Sequence, residues 1–233
     1  MELLIDEQNY DEHKQRFTEQ LNSTYPIVLT HIKIVKFITY CPLTQLCINS
    51  CQLEELEVSQ LAHLRILNCA NNKLTWLNLA ALNNLEKVYC YSNQLQFLHI
   101  QKVQEVNCSF NKLTEFTIED QSNLQILDCS ENKLVNLHLR APNLHKLLCY
   151  HNNLCNLDLS SSARLEVVIC SYNFLNSLIL DKSCPLHTLQ CARNKLKNLD
   201  LSTFDKLNKL TYFDNLDKLP YLHKQAPLLH KNK

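Results

Sequence analysis

Large apolar residues recur along this chain at fixed offsets, separated by short polar stretches, from about residue 43 to residue 215. Aligned on the residue that opens each block, the pattern is L-x-x-L-x-C-x-x-N-x-L-x-x-L-x-L. Blocks open at Leu43, Leu64, Leu85, Val103, Leu124, Leu144, Leu165 and Leu186, with steps of 21, 21, 18, 21, 20, 21 and 21 residues. A worn block precedes them (Tyr25, Ile27, Ile32, Val35, Phe37), and another follows from Leu207 with Leu210, Tyr212 and Asn215. Self-similarity at such a period marks a stacked-repeat architecture. One block cannot bury its apolar edge alone, whereas stacked blocks share a continuous core.

Within a block the apolar residues alternate around the second leucine, which predicts a short strand there. Counting the opening residue as position 1, positions 4 and 6 should point inward, and positions 3, 5 and 7 outward. A turn and an extended or short helical return complete each unit. About nine strands at a spacing of about 4.8 Å predict an arc on the order of 40 Å long. Residues 6–21 read as a helix with Tyr10, His13, Phe17 and Leu21 near one face, capping the core as residues 1–21. The solenoid proper spans 22–219. The final 220–233, broken by Pro220 and Pro227, covers the other end and frays.

The motif resembles the leucine-rich repeat, in which the inward leucines and the Asn/Cys positions are diagnostic. The 21-residue length with a second L-x-x-L-x-L half is similar to bacterial repeats of the internalin-like kind and to the arrays of pathogen effectors. The resemblance covers about residues 22–219. It implies an α/β leucine-rich repeat solenoid with a curved parallel sheet on the concave face and a mostly extended or 3-10 convex side. It also implies protein binding on that concave face, a bacterial source and delivery into a host cell.

Composition narrows the chemistry. The 233 residues contain no glycine, where average usage of about 7% gives roughly 16. A P-loop, a dinucleotide-binding turn and a nucleophile elbow all need glycine, so none is encoded. Turns requiring a left-handed residue are expected to use Asn or Asp. Lys+Arg and Asp+Glu are both 23, so no global field favours nucleic acid or a membrane. Acids concentrate in residues 1–21 and lysines in the tail. The N-terminus MELLIDEQNYDEH lacks the apolar core of a secretory signal, and no apolar run reaches the length of a membrane span. These features lead to the expectation of a cytoplasmic monomer with reduced thiols.

Cys69, Cys90, Cys108, Cys129, Cys149, Cys170 and Cys191 all occupy position 6, a slot filled by Ile48 and Tyr212 in flanking blocks. Exchange with isoleucine and tyrosine identifies a packing position, where cysteine acts as a small hydrophobe. Parallel Cβ vectors disfavour disulfides along such a file, and a line of thiols cannot converge on zinc. The remaining Cys41, Cys47, Cys51, Cys155 and Cys184 are open between local packing, surface thiols and a metal site formed by the first three. Asparagines 72, 93, 111, 132, 152, 173, 194 and 215 form a second file at position 9, suited to satisfying backbone groups at the turn. No catalytic constellation, cofactor motif or metal set recurs among the ten histidines and the carboxylates, so a non-enzyme is expected.

A binding surface should therefore lie on the outward positions. Leu148, Tyr150, Ile169 and Tyr172 fall on adjacent strands, with His151 and Arg193 at the rim. Tyr89, Tyr91 and Phe110 form a smaller set. Aromatic patches with polar rims mark protein interfaces, although scattered surface aromatics are also normal. A second reading, a substrate adaptor of a ubiquitin ligase with an F-box-like N-terminus, has only residues 1–21 to accommodate that element, and they lack a leading Leu-Pro.

Overall fold

The computed structural model describes residues 2–5, 33–37, 43–118 and 123–215. Contacts divide the chain into two compact units, 1–113 and 114–233. The first contains β1 (Glu2–Ile5), β2 (Ile34–Phe37), β3 (Gln45–Cys47), β4 (Glu55–Glu57), β5 (Ile66–Asn68), β6 (Trp76–Asn78), β7 (Lys87–Tyr89), β8 (Phe97–His99) and β9 (Glu105–Asn107). The second contains β10 (Glu115–Ile118), β11 (Ile126–Asp128), β12 (Asn136–Leu139), β13 (Lys146–Leu148), β14 (Asn156–Leu159), β15 (Val167–Ile169), β16 (Ser177–Leu180), β17 (Thr188–Gln190) and β18 (Lys209–Thr211).

Among the described residues every pairing is parallel and, apart from β1 with β2, joins equivalent residues of successive repeats. Positions 3–5 form the ladder β3-β5-β7-β9 in the first unit and β11-β13-β15-β17-β18 in the second. Positions 13–16 form a second set: β1-β2-β4 and β6-β8 in one unit, β10-β12 and β14-β16 in the other. The strands are only three or four residues long because each block offers one alternating apolar pair before its turn. Between the second strand and the next block the chain makes tight turns, as in Leu61 N–H to Val58 O and Leu64 N–H to Leu61 O, both 2.9 Å. These place Val58, Leu61 and Leu64 in the core, a spacing repeated by Leu79, Leu82 and Leu85. The 18-residue step leaves two residues between Ile100 and Val103, and Lys102 makes that shortcut at φ 52°.

The expected helical N-terminal cap of residues 1–21 is corrected at its start only. Glu2–Ile5 is a strand paired with Ile34–Phe37, residues 6–21 lie outside the described residues, and no helix occurs among the described residues. The apolar run Leu-Leu-Ile has a better use as an added strand, because it satisfies the backbone groups of β2. The C-terminal cap expected at 220–233 also lies outside the described residues.

Positions 4 and 6 are inward as expected. Leu67, Val88, Val106, Leu127, Leu147, Val168 and Leu189 are buried beside Cys69 through Cys191. Of the less settled cysteines, Cys51 and Cys184 are buried, Cys47 is buried with its thiol donating to Asn49 Oδ1 at 3.3 Å, Cys155 is exposed, and Cys41 lies outside the described residues. Burial, before any neighbouring charge, pushes the thiols of Cys69, Cys149 and Cys191 from 9.0 up to about 12, and those of Cys90 and Cys170 well above 9.0. A folded-state value raised above the unfolded one gives stability that is fully present below about pH 9 and lost as pH rises toward 12. The urea midpoint should therefore hold steady up to about pH 8.5 and fall above pH 9, with a shallower fall in Cys149→Ala/Cys170→Ala. A midpoint that stays flat between about pH 9 and 11 would refute this.

Candidate functional site

The outward face begins with the turn after each first strand. Position 6 donates its N–H to position 5 of the next repeat, as in Cys149 to Ile169 O (2.9 Å). Position 8 donates to position 7 of the next repeat, as in His151 to Ser171 O (3.0 Å). The asparagine at position 9 then closes the turn. Asn173 accepts from Leu154 N–H at 3.0 Å and donates to Cys149 O at 2.9 Å and Cys170 O at 3.1 Å. Asn93, Asn111, Asn152 and Asn194 repeat the arrangement. One side chain thus joins two repeats and satisfies buried backbone groups in both.

This closure forces position 8 into the left-handed region, and here a sequence expectation fails. The residues with positive φ include Asn71 and Asp214, but also Ser92, Phe110, Glu131, His151, Tyr172 and Arg193, all at φ of 52–59°. Asn and Asp tolerate that region best in isolation, yet the hydrogen bonds on both sides fix the backbone whatever side chain it carries. The cost, of order 1–3 kcal/mol per residue, is tolerated where the surroundings over-determine the geometry. Position 8 is therefore a rigid outward display position.

A second correction concerns position 7. Ala70, Ser109, Ser130, Ser171 and Ala192 are buried rather than outward, with Ser130 at 0% exposure. At Ala70, Ser109 and Ser130 an Asn or Asp two residues earlier accepts the N–H of this position: Ser130 N–H to Asp128 Oδ1 at 3.1 Å, Ser109 N–H to Asn107 Oδ1 at 3.1 Å, Ala70 N–H to Asn68 Oδ1 at 3.2 Å. Small residues fit under that local turn. Tyr150 and Tyr91 are too large and stay half-buried.

The structure joins the candidate residues in the second unit more tightly than their spacing suggests. His151 lies parallel to Tyr172 with ring centroids 4.1 Å apart and 13° between planes, and Tyr150 meets the edge of His151 at 5.7 Å. The Arg193 guanidinium sits 4.9 Å from the Tyr172 ring centroid. Leu148 and Ile169 are register partners on β13 and β15 and are half-buried, whereas Tyr172 is 39% exposed. Two residues outside the expected set extend the row at position 8. Glu131 Oε1 is 4.0 Å from His151 Nε2, and Asp214 Oδ2 is 3.3 Å from Arg193 Nε. Position 8 read as a column contains Glu131, and extending that column one block further, into the worn block that opens at Leu207, reaches Asp214.

The smaller set behaves differently. Tyr89 donates its hydroxyl to Glu105 Oε1 at 3.0 Å. Burial, reinforced by that carboxylate, lifts the phenol to about 12. Tyr91 is half-buried and Phe110 is 53% exposed, and no ring contact links the three among the described residues. An aromatic group missed altogether lies on the second strands. Trp76 and Phe97, register partners at position 13 and 49% and 48% exposed, stack at 6.3 Å and 11°, with His99 on the edge of Phe97. Comparing position 13 across blocks would have exposed them.

In the second unit β12 and β14 do not ladder, and the repeat step there is 20 residues. A cavity of about 310 Å³ opens beside them, lined in part by His138, Arg140, Asp158, Ser160 and Ser161. The residue types invite a Ser-His-Asp reading, but their bonds do not support it. Asp158 Oδ1 accepts from the Ser160 N–H at 2.9 Å, and Ser161 Oγ donates to Leu139 O at 3.3 Å. No hydrogen bond ties His138 to either group among the described residues. No cluster of three or more potential metal ligands occurs among the described residues, and no helix there is long and apolar enough to cross a membrane.

The stack has a direct solution readout. The His151 ring protons should resonate upfield of ordinary histidine values because the Tyr172 ring lies over them, and should return to ordinary values in Tyr172→Ala. Ordinary shifts in the unaltered protein would show that the stack does not form.

No protein-family model matches the sequence, and no curated protein matches it. Solved structures do. The functional domain of InlJ from Listeria monocytogenes, described as including a cysteine ladder, is 28% identical over 77% of this chain and 42% of its own, with a TM-score of 0.64. YopM from Yersinia enterocolitica is 26% identical over 79% of this chain and 46% of its own, TM-score 0.63. The leucine-rich repeat domain of APL1B, at 21% identity and TM-score 0.66 over 92% of this chain and 66% of its own, shares the fold. The chain spans less than half the length of the InlJ and YopM chains it matches. With its parallel one-strand-per-repeat ladders, buried leucines and files of cysteine and asparagine, the chain is a leucine-rich repeat protein by fold, and its mostly 21-residue repeats are similar to those of the bacterial proteins InlJ and YopM.

Proposed function

We propose that this chain is a non-catalytic protein-binding module. Its principal contact surface, in the second unit, is formed by Leu148, Tyr150, His151, Ile169, Tyr172 and Arg193; Tyr89, Tyr91 and Phe110 form a separate, lesser surface in the first unit. The observation that carries this reading is the position-8 row. Large side chains stand there in a costly backbone conformation and make ordered contacts at the surface. They adjoin apolar residues that the core does not fully bury. Rigid aromatic residues with an arginine at their edge are the composition of binding hot spots, because few rotamers are lost on contact.

The likeness to bacterial repeat proteins supports the further reading that the partner is a host protein, met in the host cytoplasm by an effector acting as a monomer. No cofactor or metal enters this account, and neither nucleic acid nor a membrane is its target.

The test is affinity capture from host lysate with mass spectrometry, comparing the unaltered chain with Leu148→Ser/Tyr150→Ser. Serine is native at position 7 in neighbouring repeats, at Ser130 and Ser171, and Leu148 is only half-buried, so the double variant should keep its unfolding free energy within about 1 kcal/mol. It should lose the captured partner by tenfold or more, about 1.4 kcal/mol. Equal capture by both proteins would remove this surface from the account.

A further inference from the structure

Resting on that reading of the site, we infer that the surface around Leu148 and Tyr150 takes an uncharged apolar or aromatic anchor from its protein partner, and that Arg193 is not an anion receptor. The position-8 row consumes its own polar capacity. The Arg193 guanidinium is paired with Asp214 at 3.3 Å and laid on one face of Tyr172 at 4.9 Å. The opposite face of Tyr172 is covered by His151 at 4.1 Å, and His151 in turn lies 4.0 Å from the Glu131 carboxylate. From Glu131 to Asp214, five successive repeats therefore close on one another through acid, imidazole, phenol, guanidinium and acid. Both ring faces of Tyr172 are used, so a partner ring cannot stack there, and the row contributes edges and hydroxyl rather than charge.

The groups left to a partner at the centre of the patch are apolar, and the position-5 residues that follow them, Gln190 and Thr211, are uncharged. Leu148 and Ile169 lie side by side in register, and the position-5 row ends at Asp128, whose Oδ1 is occupied by the Ser130 hydroxyl at 2.6 Å and the Ser130 N–H at 3.1 Å. Tyr150 stands between the buried Ser130 and Ser171 of the adjoining repeats, so its ring has no neighbour of its own size along position 7. Lys146, two residues before Leu148 on the same strand, is a cation for which the described residues supply no ion-pair partner. It sits in register with Ile126 on one side and Val167 on the other. A partner can meet one acid–base contact at that edge, but its binding energy must come from filling the apolar centre.

The experiment selects a random-peptide display library against the full chain and keeps clones whose binding is lost in Tyr150→Ser. That single change installs the residue found at this position in the neighbouring repeats and so leaves the fold in place. The expected clones carry Trp, Tyr, Phe or Leu as their essential residue, and their Kd changes less than about threefold between about 0.05 and 0.5 M salt. Asp214→Asn, which uncovers the Arg193 charge, should shift selection toward acidic peptides with a steeper salt dependence. Acid-rich clones from the unaltered chain, weakened tenfold or more by the same salt range, would overturn the inference while leaving the site assignment standing. Clones that all bind indifferently to Tyr150→Ser would overturn the site assignment itself.

Discussion

The structure depends on how an asparagine side chain can serve two backbones at once. Each strand ends where the chain must turn sharply inside a stack, leaving N–H and C=O groups beyond the reach of water and outside the ladder. The position-9 amide has an acceptor and two donor hydrogens, a match for one N–H and two carbonyls. Asn93 accepts from Leu74 N–H at 3.0 Å and donates to Cys69 O and Cys90 O at 3.0 and 3.1 Å. Removing such a group strands buried polar atoms at about 1–3 kcal/mol each, more than any one surface contact contributes. The burial of the leucines supplies most of the driving force, but the amide fixes where each repeat turns and in what register it meets the next.

Two consequences follow from that closure. The thiols beneath it lie where water cannot reach, which makes a file of seven cysteines chemically quiet and suits a side chain small enough to stack directly upon its own copy. Above it, position 8 is held left-handed by bonds to which its own side chain contributes nothing. A chain without a single glycine can therefore place Phe, Glu, His, Tyr or Arg where glycine would ordinarily stand. The same bonds that secure the fold leave the displayed residue free to vary.

The parts of the fold set by periodicity were legible in the sequence. The inward leucines, the cysteine file and the asparagine file all follow from a pattern repeated eight times, in which each copy corroborates the others. What escaped depends on contacts between copies. The side chain of Tyr172 does not announce a positive φ, because the cause lies in its N–H donating to Ala192 O and in the turn that Asn173 closes by donating to Cys170 O. The burial of Ser130 comes from a turn closed by Asp128, and the pairing of Arg193 with Asp214 spans a full repeat. The segment Glu2–Ile5 was read with the polar residues that follow it, whereas its backbone partner lies some thirty residues away at Ile34–Phe37. At the candidate site the spacing put Tyr150, His151, Tyr172 and Arg193 on adjacent repeats, but their mutual stacking was not visible.

The most direct test of the central claim separates the amide from the residue it holds, within one repeat of the first unit. Ser92, at φ 53°, donates its N–H to Ser109 O at 3.0 Å, a bond that glycine would retain. Urea unfolding of Asn93→Ala and Ser92→Gly would be compared with the unaltered protein. The account expects Asn93→Ala to lose about 2–4 kcal/mol, from two or more stranded backbone groups. Ser92→Gly should be neutral to about 1 kcal/mol more stable, as relief of the left-handed cost outweighs the added freedom of the unfolded chain. A Ser92→Gly protein less stable than Asn93→Ala would mean that the side chain at position 8, and not the asparagine beside it, holds the turn.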